Sequence, residues 1–162
     1  MDKTLRDLPH SLSPWTKTGA AKFYHGALTS RIIASAIAVH RELGPGFLES
    51  IYEEAFALEL DRQQIPYQRQ LPVRICYQGS VIGMHRIDLI IDRKVVVELK
   101  AVKEITDAHL ATCLSYLKAT ELYVGLIINF AEARTRVKRV MRAAELTTEA
   151  QSEGGTEEDF IE

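Results

Sequence analysis

Apolar residues recur at three- and four-residue spacing through Ile32, Ile33, Ala36, Ile37, Val39, His40 and Leu43, the period of a helix with one buried face. Thr29 is placed to cap that helix, and Gly44-Pro45-Gly46 stops it. A second helical pattern runs over residues 47–63. On it Leu48, Ile51, Ala55 and Leu58 form the stripe expected to be buried, while Glu49, Tyr52 and Phe56 fall on a neighbouring stripe that lets Glu49 and Tyr52 face one pocket. Beyond Pro66 the chain turns extended. Residues 73–77 are rich in β-branched and aromatic side chains and end at Gln78-Gly79, residues 81–91 read as a second strand, and residues 94–100 as a third. Short connections make these three an antiparallel meander. Residues 107–119 return to helical spacing, with Asp107 as N-cap and Leu110, Cys113, Leu114 and Leu117 inward, and residues 122–128 close the pattern as a buried strand. The element order is α-β-β-β-α-β, an α/β fold.

Composition adds boundaries to this picture. With 162 residues, 46% of them apolar, the chain suits one domain. Residues 1–28, punctuated by Pro9, Pro14, Gly19 and Gly26, read as an N-terminal arm, residues 29–146 as the folded domain and residues 147–162 as an acidic tail expected to be disordered. No apolar run approaches the roughly 20 residues of a membrane span, and the first residues lack the apolar core of a secretory leader, so a cytoplasmic protein without membrane association is expected. The net charge of −2 conceals a basic surplus, because Glu149, Glu153, Glu157, Glu158, Asp159 and Glu162 all fall in the tail. Just ahead of it, Arg134, Arg136, Lys138, Arg139 and Arg142 make a cluster suited either to phosphates or to a solvated helix face or strand edge. Cys76 and Cys113, in unrelated contexts, are expected to be buried free thiols. Five histidines without H-x-x-x-H spacing, no G-x-S-x-G serine and a Gly44-Pro45-Gly46 turn without phosphate-loop partners set aside zinc proteases, serine hydrolases and P-loop enzymes.

The candidate chemistry lies at the ends of the second and third strands. Asp88 falls late in one and Glu98 late in the next, while Glu98 and Lys100, two apart, share a face. Two carboxylates on adjacent strands provide hard oxygen ligands for a divalent cation and leave positions for a phosphate and a water. Lys100 would orient the water, help to deprotonate it or stabilise charge on the phosphorane-like transition state. The arrangement depends on register: Asp88 opposite Glu98 requires an odd loop such as Asp92-Arg93-Lys94, whereas a two-residue loop would turn Glu98 to the other face. The odd loop is the expectation. A D-x₉-E-x-K match alone is also what a charged strand end produces by chance.

A longer set of motifs adds weight. Leu43-Gly44-Pro45-Gly46-Phe47-Leu48-Glu49-Ser50-Ile51-Tyr52 carries Gly46, Glu49 and Tyr52 at the spacing of the GxxExxY signature. Tyr77-Gln78-Gly79, Arg86-Ile87-Asp88, Val97-Glu98-Leu99-Lys100-Ala101, Ser115-Tyr116-Leu117-Lys118 and Ile128-Asn129-Phe130 follow in order. Over residues 29–142 the chain thus resembles the GxxExxY family of the PD-(D/E)XK nuclease superfamily. The resemblance implies a restriction-endonuclease-like core, a central mixed sheet flanked by helices. It implies Asp88, Glu98 and the Leu99 carbonyl as metal ligands for Mg²⁺ or Mn²⁺, Lys100 as the catalytic lysine and Glu49 as a helix-borne acid completing the metal site or holding its water. Tyr52, Arg86 and Tyr116 would contact phosphate or support these groups, although a core tyrosine and a structural ion pair account equally well for Tyr52 and Arg86. The implied partner is nucleic acid, DNA foremost, with a homodimer as a way of enclosing it. One departure is Thr112, which stands four residues before Tyr116 where the family has glutamine. Losing that long amide removes two donors and an acceptor. A nuclease-fold module that binds nucleic acid or a protein without cutting is therefore the alternative reading. His109, three residues before Thr112, shares its helix face, but a lone helical histidine is more often structural.

Overall fold

The computed structural model describes residues 25–143, so the expected arm up to residue 24 and the acidic tail lie outside the described residues. Helix α1, Gly26–Leu43, begins ahead of Thr29, whose hydroxyl instead donates back to the Gly26 carbonyl (3.1 Å) within the first turn. It buries Ile32, Ala36 and Val39, with Ile33 and Leu43 packed at the margin. Gly44 ends it at φ 69°, a conformation open to glycine. Helix α2, Glu49–Arg62, turns opposite to the expected face. Tyr52, Phe56 and Leu60 are fully buried, whereas Leu48 (75% exposed), Ile51 and Leu58 (70%) face solvent. Both stripes have helical spacing; the one with two aromatic rings wins because it removes more apolar area from water and finds Phe130. The Tyr52 and Phe130 rings stack 4.6 Å apart and nearly parallel.

Five strands form one sheet in the order β1-β2-β3-β4-β5: β1 Tyr67–Tyr77, β2 Ser80–Ile91, β3 Val95–Lys100, β4 Val124–Asn129 and β5 Arg136–Met141. The first three are the antiparallel meander; helix α3, Asp107–Thr120, carries the chain over to β4, which lies parallel to β3, and β5 returns antiparallel. The sheet is therefore mixed. Strand β1 is longer than its β-branched segment suggests because it is an edge, where Pro72 costs no ladder bond. The opposite edge, β5, holds the basic cluster, with Arg136, Lys138 and Arg139 outward and Val140 buried, so the strand-edge reading is the observed one. Helices α1 and α2 cover one face over Leu89, Ile91, Val95, Val97, Leu99, Leu126 and Ile128. Helix α3 covers the other over Ile90, Val96 and Ile127. Its cap is Thr106 rather than Asp107, and His109 serves there: the Thr106 amide donates to His109 Nδ1 (3.0 Å). Cys113 is buried beneath this helix, but Cys76 is exposed, contrary to expectation. None of the described helices is long and apolar enough to cross a membrane.

Helix α3 comes so close to β4 that a Cβ at Gly125 would collide with Cys113 Sγ. Overpacking of that kind costs about 1–3 kcal/mol. Gly125→Ala should therefore destabilise the protein by about that amount in urea denaturation, and Cys113→Ala in the same chain should recover most of the loss. Additive effects of the two substitutions would contradict this packing.

Candidate functional site

Strands β2 and β3 pair as Leu89–Val97, Ile90–Val96 and Ile91–Val95 across Asp92-Arg93-Lys94, the odd loop that puts Asp88 level with Glu98. Asp92 and Arg93 take positive φ to close it. Pairing ends at Leu89, and on the other side the β1–β2 ladder skips the Gln70–Asp88 position, where Gln70 has φ 52°. A non-glycine residue in that region inside a strand marks a local distortion. Its effect is visible in burial: Leu89 packs under α1 and α2, yet Ile87, two residues away, belongs to the cluster under α3. Strict alternation would put both on one face. Asp88 sits at this switch, free of both ladders, and its Oδ2 accepts a hydrogen bond from the Leu99 amide (2.9 Å).

Glu98 is 5% exposed, on the same side of β3 as Val96. Lys100 Nζ lies 3.1 Å from Glu98 Oε2, 3.2 Å from the Leu99 carbonyl and 3.9 Å from Glu49 Oε1. Asp88, Glu98, the Leu99 backbone and Lys100 thus converge, with Glu49 reaching them from the start of α2. Burial raises Asp88 above the ordinary carboxylate range against the opposing Leu99 amide and Lys100. Burial and then the neighbouring Asp88 push Glu98 up to about 7. Burial pulls Lys100 down, but Glu98 and Glu49 outweigh it and raise it, so the ammonium stays charged. Burial and the charge of Glu98 also push the Tyr116 hydroxyl up to about 12, leaving a neutral donor.

Other expected residues have different placements. Tyr52 does not reach the site: it is fully buried, its hydroxyl donating to the Gly44 carbonyl (2.6 Å) and accepting from the Phe47 amide (3.3 Å). Its hydroxyl thus holds together the turn that leads into Glu49. Tyr116 is nearly buried with its ring edge-on to His85 (5.6 Å). Arg86 is exposed and has no ion-pair partner among the described residues. The basic cluster on β5 lies at the far edge of the sheet. An open cleft of about 550 Å³ leads to Asp88 between α2 and β1, lined by Glu49, Ser50, Glu53, Glu54, Arg69 and Gln70. Arg69 and Gln70 were not singled out by sequence. Arg69 bridges Glu53 (3.0 Å) and Glu54 (2.5 Å), and Gln70 donates to Glu53 (2.7 Å), tying α2 to the strand beside Asp88. Their only sequence signal was a polar Gln68-Arg69-Gln70 run between two prolines.

The donor set fits a hard divalent cation. Glu98 Oε1 is buried with no hydrogen-bond partner, an arrangement that costs free energy unless a cation or proton satisfies it. No three His, Cys, Asp or Glu side chains among the described residues form a metal-holding group, so the protein ligands would be Asp88, Glu98 and the Leu99 carbonyl, a set sufficient for an ion that keeps several waters.

A folded-state pKa raised from 4.5 to about 7 contributes stability that is complete below pH 4.5 and is lost as pH rises through 7. In EDTA the wild type should therefore lose stability between pH 5 and pH 8 relative to Glu98→Gln, by on the order of 3 kcal/mol. Chemical denaturation at the two pH values measures it; parallel profiles would remove the buried, uncompensated carboxylate from the account.

Comparison with known proteins agrees with this geometry. Neither the curated proteins nor the solved structures gave a match. A family model described as the PD-(D/E)XK nuclease superfamily matches residues 26–140, from the start of α1 to the next-to-last residue of β5. The match spans most of the chain, and with it the sheet, the Asp88 switch and the Glu98-Leu99-Lys100 strand end: the chain belongs to the PD-(D/E)XK nuclease superfamily.

Proposed function

We propose that this chain is a GxxExxY-type nuclease that hydrolyses phosphodiester bonds of nucleic acid, DNA foremost, with Mg²⁺ as its ion and Mn²⁺ as a substitute. The observation that carries the reading is the buried, unpartnered Glu98 Oε1 beside Asp88 at a site with a single lysine. In this reading Asp88, Glu98 and the Leu99 carbonyl hold the cation. When bound, it would polarise a phosphoryl oxygen and acidify a water molecule.

The chain's own groups account for the remaining chemistry. Lys100, kept protonated by Glu98 and Glu49, acts as a fixed cation toward the phosphoryl oxygens and not as a proton acceptor. Its stem is three-quarters or more shielded, which strengthens that charge relative to one in water. Glu49 holds the ammonium from the α2 side and orients a water at the mouth of the cleft. Asp88, fixed by the Leu99 amide, needs no rearrangement when substrate arrives. Water attacks phosphorus in line, its proton passing to bulk solvent through the water at Glu49, as the bond to the sugar oxygen breaks and that oxygen takes up a proton from water.

Thr112 favours the second reading, a nuclease-fold module that binds nucleic acid or a protein partner without efficient cutting, because its short side chain on α3 cannot replace a long amide. Cleavage of labelled single- and double-stranded DNA and RNA in Mg²⁺, Mn²⁺ or EDTA separates the two. The nuclease reading expects metal-dependent cutting that falls about 10²-fold or more in both Asp88→Ala and Lys100→Ala. Absence of cutting by pure wild type on every substrate would leave the binding module.

A further inference from the structure

Beyond the site, strands β1 and β2 continue together as a two-stranded ribbon. Strand β2 pairs with β3 only over Leu89, Ile90 and Ile91, so residues 80–87 have β1 as their sole ladder partner among the described residues. At about 3.4 Å per residue the ribbon extends on the order of 25 Å past Asp88. Its root is anchored, since Val73 and Ile87 are buried under α3 and His85 meets Tyr116. Its tip is not. Tyr77 (63%), Val81 (55%), Ile82 (65%) and Met84 (57%) are all exposed, half of the large apolar side chains that the described surface exposes. Residues 71–87 contain no acid, whereas Arg74 and Arg86 are exposed and have no protein partner among the described residues. A ribbon that exposed its apolar side chains for structural reasons alone would be a poor solution in water, because two strands by themselves are marginal.

We infer that the β1–β2 ribbon is a duplex-DNA-binding arm of the nuclease site, with Arg74 and Arg86 on phosphates and the Tyr77, Val81, Ile82 and Met84 tip entering a groove. The inference rests on the proposed nuclease function and names its substrate class. Charge complementarity selects nucleic acid: two cations with no partner among the described residues, on an acid-free segment, face a polyanion. Groove dimensions select DNA. The major groove of B-form DNA is about 12 Å wide and admits a two-stranded ribbon, whereas that of A-form RNA is too narrow and deep to enter. Apolar side chains at such a tip can pack on thymine methyl groups in the major groove, and Tyr77 can stack on an unpaired base. The division of labour follows from topology: the ribbon grips the duplex away from the site, and the same β2 strand delivers Asp88 to the phosphate to be cut.

The experiment measures binding of the full-length chain to labelled duplex DNA, duplex RNA and single-stranded DNA in Ca²⁺, across a salt series, with oligomeric state followed by light scattering. The variants are Arg74→Ala with Arg86→Ala, and Ile82→Ser with Met84→Ser; all four residues are exposed, and an unchanged Tm verifies the fold. The inference expects wild type to prefer duplex DNA. The arginine pair should weaken that binding about tenfold to a hundredfold and lower the salt slope by about 2. The tip pair should weaken duplex DNA binding about tenfold at an unchanged slope. Unchanged duplex affinity in both variants overturns the inference while leaving metal-dependent cleavage by wild type intact as support for the nuclease reading. A tip pair that alters only the oligomeric state overturns it in favour of self-association. Wild type that binds no nucleic acid sinks the arm and the nuclease reading together.

Discussion

The hydrogen bond from the Leu99 amide to Asp88 Oδ2, 2.9 Å long, stands where a further rung of the β2–β3 ladder would otherwise be. Two strands that paired regularly to their ends would have no room for a carboxylate between them. Here the carboxylate itself satisfies the amide, so β2 can leave β3 without stranding a buried donor. The Gln70 distortion on the other flank frees Asp88 from β1 as well. From this fork follow the position of Glu98 opposite Asp88, the availability of the Leu99 carbonyl, and the departure of the β1–β2 ribbon from the sheet. Helix α2 braces it through the Glu53, Arg69 and Gln70 bonds, and Tyr52 braces the turn that delivers Glu49.

Electrostatics gives the fork its chemical character. Glu98 and Asp88 are close enough to resist simultaneous ionisation, and both are shielded from water. One lysine offsets only part of that charge, and Lys100 divides its contacts among Glu98, the Leu99 carbonyl and Glu49. A fold that maximised stability would not leave Glu98 Oε1 unpartnered in its core. Such strain is expected where a ligand completes the arrangement. The surrounding sheet buries Val95, Val96, Val97, Ile127 and Ile128, apolar packing that offsets its cost.

Much of this was legible in the sequence because period and register are encoded locally. The odd Asp92-Arg93-Lys94 loop fixed which face Glu98 would take, and the spacing of Glu98 and Lys100 put them together. The α/β order and the mixed sheet followed from alternating periods and the motif resemblance. What periodicity could not decide was choice between equivalent stripes. On α2 the buried face was set by Phe130, more than 70 residues away in sequence, stacking on Tyr52. The positive φ of Gln70 is also invisible to propensity, since glutamine does not favour it. Arg136 to Met141 reads as a charge cluster until β4 supplies a partner and makes it an edge strand. Tyr52 belonged to a signature motif, yet its hydroxyl serves the backbone at Gly44 and Phe47, showing that a motif residue can position a site without touching it.

The most direct test of a cation-completed carboxylate fork is a calorimetric titration of Mn²⁺ into the full-length chain at pH 6 and pH 8, alongside Asp88→Asn and Glu98→Gln. The account predicts one ion per chain, binding coupled to proton release at pH 6 and to much less at pH 8, as befits a carboxyl that titrates near 7 in the free protein. Both variants should lose the site. Equal Mn²⁺ binding by wild type and the two variants, or none by wild type, would contradict it.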